Sequence, residues 1–298
     1  MTTAVMDSSL GFSIPGSNAR GRIVRIGPAL DAVLEAHAYP EPLARLLAEA
    51  LVLAGLLGST LKEAGGQLTI QAQTQNGVVE LLVADYKGGE LRGYIRHDAE
   101  RLAAAPADPS LFALFGQGYL AITFDQAVTG ERYQGIVPLE GGSLAEAAEH
   151  YFVQSEQIPS LIRIAVRKNG KGGWVAGGLL LQHLAEGEEG RERLHVRLDH
   201  PEWEHIRTLG ETVTADELAS DALEMDALVW RLFHDEGEIR VLPQNPLGKG
   251  CRCDPVHIRQ VIGQFSAEER VEMADSDGII RVNCEFCAKS FPIEAAEL

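Results

Sequence analysis

Cysteine is missing from most of this chain. The first 250 of its 298 residues contain none, and all four cysteines fall at Cys251, Cys253, Cys284 and Cys287. A secreted disulfide scaffold spreads its cysteines along the whole fold, so this distribution excludes that class of protein. We therefore expect a protein of the reducing cytoplasm, where thiols stay free or bind a metal.

Positive charge is also scarce. The chain has 26 Lys and Arg against 43 Asp and Glu, which gives a formal net charge of −17. Such a charge repels phosphate backbones and anionic lipids, so we expect no nucleic-acid partner and no membrane partner. Residues 248–298, which carry the cysteines, contain nine acidic and six basic residues. This segment therefore lacks the basic patch of a nucleic-acid-binding zinc module.

Signals for membrane insertion, secretion and catalysis are absent from the sequence. No apolar run reaches the roughly 20 residues that span a bilayer. Residues 1–9 have neither the positive charge nor the apolar centre of a secretory signal. We interpret residues 1–18 as a flexible tail and expect a cytoplasmic location. The chain has no phosphate-binding loop, dinucleotide fingerprint, H-E-x-x-H or G-x-S-x-G motif, so we expect that it is not an enzyme.

The four cysteines form two close pairs. Cys251-Arg252-Cys253 is separated by thirty residues from Cys284-Glu285-Phe286-Cys287. Tetrahedral Zn²⁺ takes two ligands from each of two such knuckles, so the pattern predicts one Zn²⁺ per chain, bound by all four thiolates. His257 is the competing ligand, but four thiolates already complete the site.

Three functions are compatible with this cluster. The first is an inert structural zinc site. The second, a thiol-disulfide oxidoreductase, would need Cys284-x-x-Cys287 to open a helix in a thioredoxin-like unit, and the surrounding sequence has no such pattern. The third is a redox switch, in which the thiolates are both ligands and reactive groups. The residues by themselves favour the structural interpretation.

Strand patterns dominate residues 19–198, which we predict to be an N-terminal domain. Asn76-Gly77 predicts a two-residue hairpin turn, and Ser143 with Glu146 predicts a capping box that opens a helix over residues 143–157. A helix over 42–64 is apolar nearly all round and should be buried on more than one side. Residues 20–26 and 68–75 alternate and predict strands, and further strands are predicted over 78–86, 91–96, 119–124, 132–137, 161–167 and 174–183. We therefore predict an α+β fold with mainly antiparallel sheet.

The composition changes after residue 198. Residues 199–247 hold twelve acidic and three basic residues, a net charge of −9. Within this predicted acidic helical linker, Thr214 and Glu217 predict a capping box that opens a helix over 214–233. Its apolar stripe should dock on the main domain. The stripe and the tryptophan beside it give six candidate binding residues: Leu218, Met225, Val229, Trp230, Leu232 and Phe233. Residues 248–298 then form a C-terminal domain so small that a metal must hold it.

Taken together, these features resemble the heat-shock protein 33 family. The most specific element is the spacing of the cysteines at the end of a chain of this length. The resemblance extends from about residue 20 to residue 292. Further matching stretches are Gly130-Glu131-Arg132-Tyr133-Gln134-Gly135, Tyr151-Phe152, Ser155-Glu156-Gln157-Ile158-Pro159, Gly177-Gly178-Leu179-Leu180-Leu181-Gln182 and Trp230-Arg231-Leu232-Phe233-His234.

The resemblance implies a redox-regulated, ATP-independent holdase chaperone whose N-terminal domain packs helices between two sheets. It favours the switch over the inert zinc site. Oxidation is then expected to form Cys251–Cys253 and Cys284–Cys287, a pairing that sequence proximity also favours. Zinc loss, unfolding of the C-terminal domain and linker, and exposure of the six candidate residues to unfolding client proteins would follow. The resemblance also implies a homodimer when oxidised and ATP-dependent foldase chaperones downstream. The alternative is a non-switching zinc-binding adaptor that acts through the 214–233 helix while reduced.

Overall fold

Two six-stranded sheets and one hairpin contain all the strands in residues 5–61, 65–128, 130–184 and 201–298, which are the residues that the computed structural model describes. The strands are β1 (Ser8–Ile14), β2 (Ala19–Ile26), β3 (Gln67–Thr74), β4 (Val79–Lys87), β5 (Glu90–His97), β6 (Gly118–Asp125), β7 (Arg132–Pro138), β8 (Ser160–Lys168), β9 (Trp174–His183), β10 (Arg240–Val241), β11 (Asn245–Pro246), β12 (Gly248–Lys249), β13 (Ile279–Asn283) and β14 (Ser290–Glu294). Sheet 1 has the order β10-β1-β2-β9-β8, and β11 also pairs with β1. Sheet 2 has the order β12-β5-β4-β3-β6-β7, and β13 pairs with β14.

The helices fill the space around the two sheets. They are α1 (Pro28–Leu34), α2 (Glu41–Gly58), α3 (Ala99–Ala104), α4 (Leu111–Phe115), α5 (Leu144–Tyr151), α6 (Pro201–Glu211), α7 (Ala215–Leu218), α8 (Met225–Phe233), α9 (Pro255–Ile262) and α10 (Ala267–Met273). In the described part of the chain, no helix is long and apolar enough to cross a membrane. All strand pairs described are antiparallel except β12 with β5. The predicted α+β fold with mainly antiparallel sheet is confirmed.

Helix α2 lies between the two sheets. It contacts β2, β8 and β9 of sheet 1 and β3, β4 and β5 of sheet 2. This explains why the sequence of the helix is apolar nearly all round, because both sides face a sheet. A Cβ atom on Gly58 would lie 2.2 Å from the ring of Tyr86, so glycine permits the helix end to touch sheet 2. The helix ends at Gly58. The prediction that it continues to residue 64 is therefore wrong for residues 59–61, and residues 62–64 lie outside the described residues.

The predicted flexible tail is wrong for most of its length. Strand β1 pairs along its whole length with β2, and its Leu10, Phe12 and Ile14 are buried. These three side chains alternate with small or polar residues, which is the period-two pattern of a strand. Residues 1–4 lie outside the described residues.

Two local predictions also change. Neither Asn76 nor Gly77 has the positive φ of a two-residue hairpin turn, and four residues, 75–78, connect β3 with β4. A Cβ atom on Gly77 would lie 2.7 Å from the carbonyl oxygen of Leu114, so the glycine serves close packing. Ser143 caps α5 through the amide of Glu146, but the Glu146 carboxylate accepts from Gly142 instead of closing the capping box. The helix ends at Tyr151, and a π-helical turn follows over Phe152–Glu156.

Helices α6, α7 and α8, here called the docked helices, cover the face of sheet 1 that points away from α2. Their apolar side chains form a second core cluster with β1, β2, β8 and β9. The prediction of one helix over 214–233 is wrong, because Ser220 accepts hydrogen bonds from the amides of Ala222 and Leu223 and so forms a turn between α7 and α8. The Thr214–Glu217 capping box is confirmed. The predicted boundary between residues 198 and 199 lies outside the described residues.

The segment from β10 to β12 ties both sheets to the cysteine-bearing end of the chain. Strands β10 and β11 pair with β1 at the edge of sheet 1, and β12 pairs with β5 at the edge of sheet 2. Leu247 is buried in the core around α2. The turn-rich stretch at residues 243–250 is therefore part of both sheets.

Candidate metal centre

The four cysteine side chains meet at one point. Their Sγ atoms all lie within 4.8 Å of one another. The Sγ–Sγ distances are 2.9 Å for Cys251–Cys253, 3.7 Å for Cys251–Cys284 and 3.5 Å for Cys253–Cys287. A tetrahedral Zn²⁺ site with Zn–S bonds of about 2.3 Å has S–S edges of about 3.8 Å. Two of these distances are close to that edge, and all four thiols lie close enough together to hold one zinc ion.

Two short structural elements position the cysteines. Cys251 and Cys253 follow β12 directly. Cys284 and Cys287 lie in the loop of the β13–β14 hairpin, where the Cys284 amide donates to the carbonyl of Lys289 and the Ala288 amide donates to the carbonyl of Cys284. Ala288 has a φ of 55°, the left-handed conformation that closes the loop.

The thiols differ in acidity. Burial acts to raise the pKa of Cys284, but hydrogen bonds from the Cys253 thiol and from the amides of Cys287 and Phe286 outweigh it and lower this pKa to about 7. Burial, together with hydrogen bonds to the other cysteines, raises the pKa of Cys253. The cluster therefore stabilises a thiolate at Cys284, and a thiolate is the form that both ligates metal and reacts with oxidants.

Little apolar burial stabilises this end of the chain. Within residues 248–298 the buried apolar side chains are Ile280 and Ile293, and helices α9 and α10 bury none of their residues. Two buried isoleucines cannot balance the conformational entropy of about fifty ordered residues. Apolar burial alone therefore does not account for the fold of this unit.

Phe286, between two of the cysteines, connects the metal centre to sheet 2. Its ring packs against Arg92, whose guanidinium carbon lies 3.9 Å from the ring centroid, and edge-on against Tyr94, at a centroid distance of 5.0 Å. The Nε2 atom of His37 lies 3.3 Å from the carbonyl oxygen of Phe286. Arg252, between the other two cysteines, donates to the Gln67 side chain at 2.7 Å. Sequence analysis missed these contacts; the aromatic residue inside the C-x-x-C knuckle was the available signal.

The predicted stripe lies elsewhere, on sheet 1. Leu218, Met225, Val229, Leu232 and Phe233 are all buried in the cluster under the docked helices, and the rings of Phe233 and Phe12 are 5.6 Å apart. The sixth candidate, Trp230, is 64% exposed. Leu228 was missed, although it fits the three- and four-residue spacing, and it is buried in the same cluster. The structure thus brings five of the six candidates together and leaves the sixth in solvent.

A family model described as "Hsp33 protein" matches residues 7–294 of this chain. The chain belongs to the Hsp33 family. The predicted resemblance is therefore confirmed, and it covers β1 as well as the cysteine-bearing end.

Several Hsp33-family proteins are similar over nearly their whole length. The "33 kDa chaperonin" of Caulobacter vibrioides is 43% identical over 98% of this chain and 96% of its own. The "33 kDa chaperonin" of Pseudomonas aeruginosa is 36% identical over 98% of this chain and 93% of its own. The crystal structure of the "33 kDa chaperonin (Heat shock protein 33 homolog)" from Thermotoga maritima shares the fold, with a TM-score of 0.79 and 23% identity over 98% of this chain and 97% of that one.

Proposed function

We propose that this protein is a redox-regulated, ATP-independent holdase chaperone of the cytoplasm and not an enzyme. The proposal rests on the arrangement of two regions. Four cysteines meet in residues 248–298, where the buried apolar side chains are two isoleucines, whereas the apolar stripe of α7 and α8 is buried against sheet 1. Similarity to proteins named chaperonins supports the client-binding part.

In the reduced state, Cys251, Cys253, Cys284 and Cys287 would hold one Zn²⁺. Bound zinc supplies folding free energy, about 10–16 kcal/mol by analogy with zinc-finger peptides. The net stability of a small domain is only about 5–15 kcal/mol. The C-terminal unit is therefore folded while the four thiolates stay reduced.

Oxidation removes this ligand set. Two thiolates of a pair give two electrons to hydrogen peroxide, an S–S bond forms, the O–O bond breaks, and the two oxygens take up two protons and leave as two water molecules. The expected products are the Cys251–Cys253 and Cys284–Cys287 disulfides, because each pair is close in sequence. Peptide mapping tests the pairing, and mainly cross-linked pairs such as Cys251–Cys287 would contradict it.

Unfolding of the C-terminal unit then loosens its attachments. The contacts of Phe286 with sheet 2 and the two-residue strand β12 depend on that unit being ordered. The chain connection from there to the docked helices consists of β10 and β11, each two residues long at the edge of sheet 1. Strands this short form few hydrogen bonds with sheet 1. When β10 and β11 detach from the sheet, the docked helices can leave it as well.

Release exposes two apolar surfaces able to bind unfolding client proteins. One is the stripe on α7 and α8, with Val229 and Phe233 at its centre. The other is the face of sheet 1 beneath it, which includes Leu10 and Phe12. Burial of apolar area is favourable by about 25 cal/mol per Å² and requires no nucleotide, so holding a client needs no ATP. A homodimer of the oxidised form and transfer of clients to ATP-dependent foldases are further parts of the proposal.

The adaptor alternative predicts activity in the reduced state. It is weakened because the apolar side of the 214–233 segment is buried against sheet 1 and leaves Trp230 as the exposed large apolar side chain of α8. Suppression of client aggregation by the reduced zinc form and by the oxidised zinc-free form separates the two functions. The holdase predicts suppression only after oxidation, and equal suppression by both forms would contradict it.

A further inference from the structure

Arg25 is a cation buried in the apolar cluster beneath the docked helices. It lies on β2, is 0% exposed, and pairs in register with Gly177 on β9. A buried guanidinium is costly unless hydrogen bonds replace its water. The groups that accept hydrogen bonds from Arg25 therefore indicate its structural role.

Those partners are main-chain carbonyls of the docked helices. The Nε atom of Arg25 donates to the carbonyl of Leu218 at 3.1 Å, Nη2 to that of Glu217 at 3.0 Å and Nη1 to that of Leu223 at 2.5 Å. Helix α7 is a single turn, so the carbonyls at its end have no partner within the helix. One guanidinium satisfies two of them together with a third in the turn that follows.

The surrounding residues are shaped for this contact. A Cβ atom on Gly177 would lie 2.1 Å from the carbonyl oxygen of Leu218, so only glycine lets the end of α7 reach the sheet. Arg167, on β8, donates to the carbonyl of Ala219 at 2.8 Å, and its Nη2 lies 3.7 Å from the Asp221 carboxylate. Two arginines of sheet 1, Arg25 and Arg167, thus bind the backbone at the end of α7 and in the turn after it.

We propose that Arg25 is the positioning residue that holds the docked helices on sheet 1, and that it does so by binding the main chain of α7 and of the turn after it. The inference rests on the proposed function for its biological meaning, because the docked helices are what oxidation is proposed to release. All three hydrogen bonds go to the backbone of residues 217–223, and the Glu224 and Asp221 carboxylates add electrostatic attraction to the guanidinium. Once the C-terminal unit unfolds, this contact, the neighbouring Arg167 contact and the apolar cluster remain to hold the docked helices on sheet 1.

Hydrogen exchange of the reduced, zinc-loaded full chain tests the contact. Arg25→Met keeps the length of the side chain and removes its donors; Arg25→Lys keeps the charge but cannot reach three carbonyls. Arg22→Met is the matched control, because Arg22 lies three residues earlier on the same strand and donates to the carbonyls of Ser59 and Gly21, outside the docked helices.

We expect exchange within residues 203–233 to rise about 10- to 100-fold in Arg25→Met, as for loss of hydrogen bonds to a charged group, and less in Arg25→Lys. Zinc content should stay at one per chain, and Arg22→Met should leave these amides protected. Unchanged protection in both Arg25 variants would overturn the proposal. So would an equal loss of protection in the central strands β2 and β9, because Arg25 would then support the whole domain. If Arg25→Met does not fold, the partial effect in Arg25→Lys decides.

Client-aggregation assays on the same samples separate the two claims. Faster exchange with client binding supports both. Faster exchange in the docked helices without client binding supports the Arg25 contact and contradicts the proposed function. Client binding with unchanged exchange contradicts the contact.

Discussion

Replacing Val229 by aspartate should open the docked helices without touching a cysteine. Val229 is 1% exposed in the cluster between α8 and sheet 1. Losing the burial of a valine costs about 1.5–3 kcal/mol, and placing an unpaired carboxylate there costs several kcal/mol more. A total of at least about 4 kcal/mol increases the open fraction by roughly 1,000-fold. Segments that open locally have stabilities below the global value of about 5–15 kcal/mol, so this change is large enough to matter.

The assay is suppression of client aggregation by the reduced, zinc-loaded Val229→Asp protein. We expect partial holdase activity without oxidant, loss of exchange protection in α6 to α8, and one zinc per chain. Trp230→Asp is the matched control, because Trp230 is the next residue of the same helix and 64% exposed. Equal activation by both variants, or opened helices that bind no client, would refute the reasoning.

Three further predictions concern the metal centre and the core. The Cys284→Ser, Cys287→Ser double variant should lose stoichiometric zinc in metal analysis, and retained zinc would contradict the ligand set. Phe286→Ala should speed zinc loss to a chelator about tenfold, since it removes the cation–π contact with Arg92; an unchanged rate would show that docking on sheet 2 is irrelevant to the site. The pKa of the largely buried Glu49 is raised to about 7 from 4.5, mainly by burial. Its contribution to stability is therefore fully present below pH 4.5 and lost as the pH rises through 7. Denaturant unfolding at pH 5 and pH 8 measures this loss as a difference in the free energy of unfolding. Glu49→Gln should reduce that difference by about 1–3 kcal/mol, and an unchanged difference would contradict the assignment.

Local patterns predicted much of the fold. Strands β3 and β5 alternate between buried and more exposed residues, as their sequences do. The apolar α2 was correctly predicted to be buried on more than one side, because its composition shows that both sides are covered. The cysteine spacing predicted that the four thiols form one cluster, and the structure brings them together.

The missed features depend on contacts between distant parts of the chain. Strand β1 carries a period-two pattern that the prediction overlooked, but its pairing with β10, far along the chain, is not visible in that pattern. Arg25 looks like an exposed residue of an alternating strand until the docked helices supply its carbonyl partners, about 190 residues away in sequence. The contact of Phe286 with sheet 2 becomes visible only in the fold, because Arg92 and Tyr94 are distant from it in sequence. No local pattern encodes such pairs.

Hydrogen exchange during peroxide treatment, with client binding measured on the same samples, tests the central claim most directly. The account predicts that residues 248–298 lose protection first, that α6 to α8 follow, and that client binding without nucleotide rises together with the second step. The inner strands around α2 should stay protected throughout. Client binding that switches on while α6 to α8 remain protected would contradict the release of the docked helices, whatever the state of the four cysteines.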